Sequence, residues 1–281
     1  MIGLLLTTLV IAAWFITGLV YDHPDPQPAV EPNFTDLVQT SLKGVVHLQA
    51  SSRQGSGFVV GPRHIVTAWH VVNDIEDVLI TTHDGHQVRA NRVHSNKDND
   101  VAHIWIDDLT CIAGDCERVG WVGGTEERSF VLGEHKVVLT PLRLGSIKDC
   151  VLGQRVYSIG STLGKRHFNA VATGIIQTLN LDLENFGCSP DYRWAILFSN
   201  TAEGGGGNSG CPLFTLDGKI IGVWVGSRQP NVHYCIPVDV FVKDISMISL
   251  LFAMDRYERE VVGQSWEDNL YDVYEAWPGF D

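Results

Sequence analysis

Gly205-Gly206-Gly207-Asn208-Ser209-Gly210 gathers glycines around a single serine. Glycine crowds where the backbone must turn with positive φ or approach a ligand closely. A serine ending such a turn exposes its Oγ. The amides of Gly207 and Ser209 can then point together at an oxyanion developing on an attacked carbonyl. That is the chemistry of acyl transfer. A serine hydroxyl is a weak nucleophile until a base takes its proton. Among 11 histidines the candidate base is His70, in Thr67-Ala68-Trp69-His70, directly after the run His64-Ile65-Val66. A third group must orient the imidazole and stabilise its protonated form. Asp100, opening the run Val101-Ala-His-Ile-Trp-Ile, is the candidate, with Asp98 as the fallback. His83, His86, His94, His103 and His135 read as surface or strand residues. The sequence contains no His-Glu-x-x-His and no Cys-x-x-Cys, so it predicts no metal site, and this chemistry needs no cofactor.

The elements that must hold these groups are short. From Leu42 to Val240 the chain is a series of apolar runs broken by glycine, among them residues 44–49, 57–61, 100–106, 155–160 and 219–225. Many strands at short intervals, with no long helical period between them, predict an all-β barrel or sandwich. After Pro237 the period changes: Phe241, Ile245, Ile248 and Phe252 lie on one helix face. The 281 residues carry 20 Lys+Arg against 33 Asp+Glu, a formal charge of −13. That balance argues against a nucleic-acid partner, which needs a basic field. A hydrophobic fraction of 44% with 8 Trp predicts a packed globule.

The ends differ from the middle. Ile2 to Val20 carries no charge, and as a helix it would rise roughly 28 Å, close to the hydrocarbon thickness of a bilayer. A cleaved signal peptide is one reading of residues 1–20. A retained membrane anchor is favoured, because no Lys or Arg precedes the run and no Ala-x-Ala site follows it. With no basic cluster to hold the downstream side in the cytosol, the body is expected on the non-cytoplasmic side. Residues 21–36, with prolines at 24, 26, 28 and 32, read as an extended spacer. The body is expected over 37–256. The tail, 257–281, is acidic and aromatic, with Trp266, Leu270, Tyr274 and Trp277 at helical spacing.

Gly55-Ser-Gly-Phe-Val-Val, Ile65-Val-Thr-Ala-Trp-His-Val-Val, Asp100-Val-Ala and Gly207-Asn-Ser-Gly-Cys-Pro-Leu resemble the trypsin-like serine proteases, most closely the HtrA (Deg) type. Tyr157-Ser-Ile-Gly, Gly218-Lys-Ile-Ile-Gly-Val and Tyr234-Cys-Ile-Pro-Val-Asp continue the match in the family's order, over about residues 40 to 245. The resemblance implies a chymotrypsin-like pair of six-stranded antiparallel β-barrels, with a boundary near 125–150 and the cleft between them. It implies a serine endopeptidase acting on protein or peptide substrates, with Ser209 as nucleophile, His70 as base and Asp100 as orienter. The oxyanion amides would be those of Gly207 and Ser209. An α/β-hydrolase runs Ser, Asp, His along the chain, and here only His233 follows Ser209.

Three departures qualify the resemblance. Cys211 stands where the family usually has glycine, placing a side chain beside the nucleophile; it reads as a buried thiol or as a disulfide partner of Cys235, while Cys111 and Cys116 suit a local bridge. About 36 residues follow Ile245, too few for the PDZ module of many family members. Glu203 and Trp224 fall where the family's fold lines the primary specificity pocket. Glu203 would favour a basic P1 residue and Trp224 a shallow pocket, so P1 preference stays open. Family members are often trimers, which leaves a homo-oligomer open. The rival reading of the same motifs is a catalytically silent, protease-like binding module.

Overall fold

The computed structural model describes residues 33–260, except positions 74, 76, 113–116, 123–124, 131–135, 163–168, 182–194, 201–205 and 230. The expected anchor at 2–20 and the aromatic stripe from Trp266 to Trp277 lie outside the described residues. Within the described residues no helix is long and apolar enough to cross a membrane.

Helix α1 (Phe34–Leu42) opens the unit and takes in residues 34–36, which the proline run alone assigns to the spacer. It docks by packing Phe34 edge-on against the Tyr157 ring, at 5.4 Å, and by a buried 2.7 Å hydrogen bond between Ser41 Oγ and Tyr157 Oη. Seven strands then form one antiparallel sheet: β1 (Val45–Ala50), β2 (Arg53–Gly61), β3 (His64–Ala68), β4 (Val78–Thr82), β5 (Gln87–Ala90), β6 (Arg92–Asn96) and β7 (Val101–Trp105). Their order is β5-β4-β1-β2-β3-β7-β6. A four-residue helix, α2 (Trp69–Val72), follows β3 directly.

A two-stranded ribbon, β8 (Glu117–Val122) with β9 (Thr125–Phe130), precedes the second half. There β10 (Arg155–Gly160), β11 (Ala170–Leu181), β12 (Ala195–Asn200), β13 (Pro212–Thr215), β14 (Ile220–Gln229) and β15 (Val232–Pro237) close a barrel in the order β10-β11-β12-β15-β14-β13. The second half is the expected six-stranded barrel, and the first is a seven-stranded sheet whose two edge strands are consecutive in the chain. Asn91 alone separates β5 from β6, the two edge strands. One extended segment thus pairs with β4, bends, and pairs with β7, so it counts as two strands.

Helix α3 (Val238–Glu260) leaves the barrel and returns across the first sheet. The helix face predicted from the sequence is the docked one: Phe241 and Ile248 are buried, and Ile245 packs on the same core. Phe252 meets the Trp105 ring at 5.2 Å. Because α3 covers β3 and β7, these strands are buried at every position and carry apolar residues without strict alternation.

Cys111 is disulfide-bonded, to a partner outside the described residues, whereas Cys150, Cys211 and Cys235 are free. Cys211 and Cys235 flank Trp224 on opposite sides, since Trp224 N–H donates to Cys211 O and Trp224 pairs with Cys235. Two strand spacings of roughly 4.8 Å keep their backbones too far apart for a bridge.

His103, read from sequence as a surface or strand residue, is fully buried on β7 beside His64 of β3. His64 Nε2 lies 3.0 Å from His103 Nδ1, and His64 Nδ1 lies 2.8 Å from Ser249 Oγ on α3. Burial lowers His64 from 6.5 to about 4. Burial, followed by repulsion from His64 and His94, holds His103 well below its ordinary value. Both rings are thus neutral in the fold, while the unfolded chain protonates them near 6.5. Their contribution is complete above pH 6.5 and is lost as the pH falls through it toward about 4. For His64 the shift corresponds to about 3 kcal/mol. The urea midpoint should fall between pH 7 and pH 4.5, and His103→Phe should shrink that fall. An equally steep fall in the variant would assign the acid loss to carboxylates instead.

Candidate active site

Asp100 is 1% exposed and sits between a short 3₁₀ turn, Lys97–Asn99, and β7. Its φ of 50° is left-handed, a conformation that Asp tolerates better than most residues. A buried carboxylate needs donors, and α2 supplies them. His70 N–H donates to Oδ1 at 2.9 Å, and His70 Nδ1 lies 2.7 Å from Oδ2. The backbone joins in, with Trp69 N–H donating to Asp100 O at 3.0 Å. Carboxylate oxygens accept, so the Nδ1 contact places the hydrogen on Nδ1 and leaves Nε2 as the acceptor. The imidazole remains 40% exposed, reachable from solvent and from a substrate. Arg53 Nη1 donates to His70 O at 3.0 Å and ties the same turn to β2. Asp98, the alternative orienter, is exposed on the 3₁₀ turn.

Ser209 reaches the same region from the barrel. Gly55 on β2 sits between Ser209 and Val71, the neighbour of His70. A Cβ at residue 55 would lie 2.6 Å from Val71 Cγ2 and 2.8 Å from Ser209 O. The turn carrying Ser209 is held on both sides. Ser56 N–H donates to Ser209 O at 2.8 Å from the first sheet, and Gly210 N–H donates to Trp224 O at 2.7 Å on the barrel. Cys211 N–H donates to Asn208 O at 3.0 Å, which curls the turn. A trans peptide points its C=O and N–H opposite ways, so this bond turns the Ser209 N–H outward. Gly207 has φ 109°, open only to glycine. Among the described residues, neither the Gly207 nor the Ser209 N–H donates to another backbone carbonyl.

Trp224 lies on β14 and is 3% exposed, its indole 4.1 Å from the His233 ring and 5.1 Å from Phe198. Glu203 lies outside the described residues. Among those described, no group of three or more His, Cys, Asp or Glu is placed to hold a metal ion. A cavity of about 510 Å³ lined in part by Ser146, Arg155, Asp217 and Lys219 includes none of these residues. The residue that inspection of the sequence misses is Ser56. It is fully buried and makes four hydrogen bonds around the Ser209 turn.

Residues 55–223 match the family described as the trypsin-like peptidase domain. The chain is 28% identical over 200 residues to a probable periplasmic serine endoprotease, DegP-like, of Halomonas elongata, covering 69% of this chain and 35% of that protein. It is 28% identical over 198 residues to the chloroplastic protease Do-like 1 of Arabidopsis thaliana, covering 68% of this chain and 38% of that one. The chain thus spans little more than a third of each relative's length. Among solved structures, the HtrA-type protease AlgW with tripeptide superposes with a TM-score of 0.58 at 18% identity, over 77% of this chain and 64% of that one. That likeness is one of fold.

Gly210 shows how tightly the two halves meet. A Cβ there would lie 2.0 Å from Ser56 O and 2.2 Å from Thr67 Oγ1, at a φ of 85° that disfavours any side chain. Gly210→Ala should therefore cost more than about 3 kcal/mol, read as the urea midpoint, through overpacking combined with backbone strain. A loss below about 1 kcal/mol would mean that the seam yields easily.

Proposed function

The chain belongs to the trypsin-like peptidase domain family, and on that premise we propose that it is an HtrA-type serine endopeptidase that cleaves protein substrates through an acyl-enzyme. The observation that carries the reading is the His70–Asp100 pair, whose 2.7 Å contact through Nδ1 leaves Nε2 unengaged by the carboxylate on a partly exposed ring. Ser209 Oγ attacks the scissile carbonyl while His70 Nε2 takes its proton. The negative charge moves to the carbonyl oxygen, which the Gly207 and Ser209 amides receive. His70 then gives the proton to the leaving amine, the C–N bond breaks, and an ester to Ser209 remains. Water, deprotonated by the same imidazole, hydrolyses that ester and restores the serine. Asp100 fixes the tautomer and stabilises the imidazolium at each step.

Trp224, beside the Ser209 turn, and Glu203 are proposed to line the primary specificity pocket. The disulfide at Cys111 supports a compartment outside the reducing cytosol, and the apolar run at 2–20 supports a membrane anchor there. Homo-oligomerisation is part of the same family-level proposal.

A fluorophosphonate should label the protein covalently, and Ser209→Ala should abolish both the labelling and the cleavage of casein. Asp100→Asn should retain the fold and lower kcat by about 10⁴-fold, because the imidazole loses its tautomer. Labelling that persists in Ser209→Ala would overturn the nucleophile. A wild-type protein that neither labels nor cleaves would establish a binding module.

A further inference from the structure

We propose that Ser56 is a positioning residue that sets the oxyanion hole of this site, coupling the nucleophile turn to the sheet that carries the base. The inference rests on the peptidase reading above and assigns a task to a residue outside the triad. Ser56 lies in the middle of β2, is fully buried, and uses every polar atom it has. Its Oγ donates to Gly207 O at 2.8 Å and accepts from Ser161 N–H at 2.9 Å. Its N–H donates to Ser209 O at 2.8 Å, and its O accepts from Thr67 Oγ1 at 2.7 Å.

These four bonds join three parts of the molecule. Thr67 is three residues before His70 on the chain that forms β3 and α2. Ser161 directly follows β10 of the barrel. Gly207 and Ser209 bracket the turn whose amides face the developing oxyanion. Holding Gly207 O fixes the peptide plane after Gly207, and the positive φ of Gly207 then sets the direction of its N–H. Holding Ser209 O fixes the plane after Ser209, while the Asn208–Cys211 bond fixes the plane before it. Ser56 thus grips the carbonyls on both sides of Asn208. Without the hydroxyl, Gly207 O loses its donor, and the Gly207–Asn208 peptide gains freedom about the Gly207 Cα–C bond.

A buried serine with satisfied bonds is ordinarily a stability element, so the test must separate positioning from packing. Ser41 supplies the comparison. It is buried and hydrogen-bonded to Tyr157, and none of its bonds reaches the Ser209 turn. Removing either hydroxyl leaves a buried partner unsatisfied, with similar cost to the fold. Only one of them holds the oxyanion turn.

In the full-length protein, Ser56→Ala should lower kcat by about ten- to a hundredfold with KM within about threefold, since misdirected donors lose only what they give the transition state. Its affinity for a peptidyl trifluoromethyl ketone, whose hemiketal oxyanion occupies the hole, should fall by the same factor. Ser56→Cys adds a little volume and offers a weaker donor, and should give an intermediate loss of both. Ser41→Ala should lower the melting temperature while leaving kcat and ketone affinity within about twofold. The proposal is overturned if Ser56→Ala and Ser56→Cys keep wild-type kcat and ketone affinity. It is equally overturned if Ser41→Ala lowers both as far as Ser56→Ala does. A wild-type protein that fails to label with fluorophosphonate would remove the peptidase reading itself, an outcome read before any Ser56 variant is made.

Discussion

A carboxylate stripped of water is the constraint around which this structure is arranged. Asp100 is buried, and an unpaired charge in such a place would cost several kcal/mol or take up a proton. The cost is met by donors from one short segment, Trp69 and His70, and those donors exist only because β3 ends where β7 begins. The register makes this possible: Ala68 faces Val101 and Thr67 faces Ala102. A slip of one residue would send every side chain of the strand to the opposite face and withdraw Asp100 from its donors. Helix α3 guards against such a slip by packing over the strands, with the Ser249–His64–His103 chain spanning helix, strand and strand.

Ser209 is held by a different logic. His70 and Asp100 belong to one sheet, but the Ser209 turn is tied to both halves. The Ser209–Gly210 peptide gives its carbonyl to Ser56 on the sheet and its N–H to Trp224 on the barrel. A single planar unit therefore spans the seam, and its two ends cannot move independently. Relative motion of the halves would break one of the two bonds before it displaced the serine. Small residues are a condition of this contact, because Gly55 and Gly210 let backbone approach backbone at distances no Cβ permits.

Much of this was legible in the sequence. Residue types at 70 and 100 point to an imidazole–carboxylate pair, and the structure brings the two together. Apolar runs marked β1, β2, β7, β10 and β14, and one helical stripe marked α3, since period-2 and period-3.6 burial leave local traces. The sequence also favours Asp100 over Asp98 as the partner of His70, because Asp100 opens a largely apolar strand, and the structure pairs His70 with Asp100. What stayed hidden depends on long-range closure. Nothing near Ser56 announces that its hydroxyl meets a carbonyl 151 residues later. His103 reads as an ordinary strand residue because its burial depends on α3, which lies more than a hundred residues further along the chain. The bend at Asn91, which splits one extended stretch between the two edges of the first sheet, carries no apolar signature either.

The cysteine beside the nucleophile shows how one departure is absorbed by its surroundings. A side chain at 211 raised the prospect of a thiol next to the reacting serine. The structure turns it the other way: Cys211 is 1% exposed and packs with Leu213, Ile221, Trp224 and Cys235 inside the barrel. Burial raises its thiol above the ordinary value, which leaves it protonated and unreactive at neutral pH. The room for it comes from Gly160 at the end of β10. A Cβ at residue 160 would stand 3.0 Å from Cys211 Cβ, 3.1 Å from Asn208 Oδ1 and 3.2 Å from Ser56 Oγ. The same missing side chain thus accommodates the cysteine, the residue before the nucleophile and the serine that grips the turn. A bulkier residue at 160 would press on all three at once, and so the extra volume at 211 and the absent volume at 160 are two halves of one packing solution.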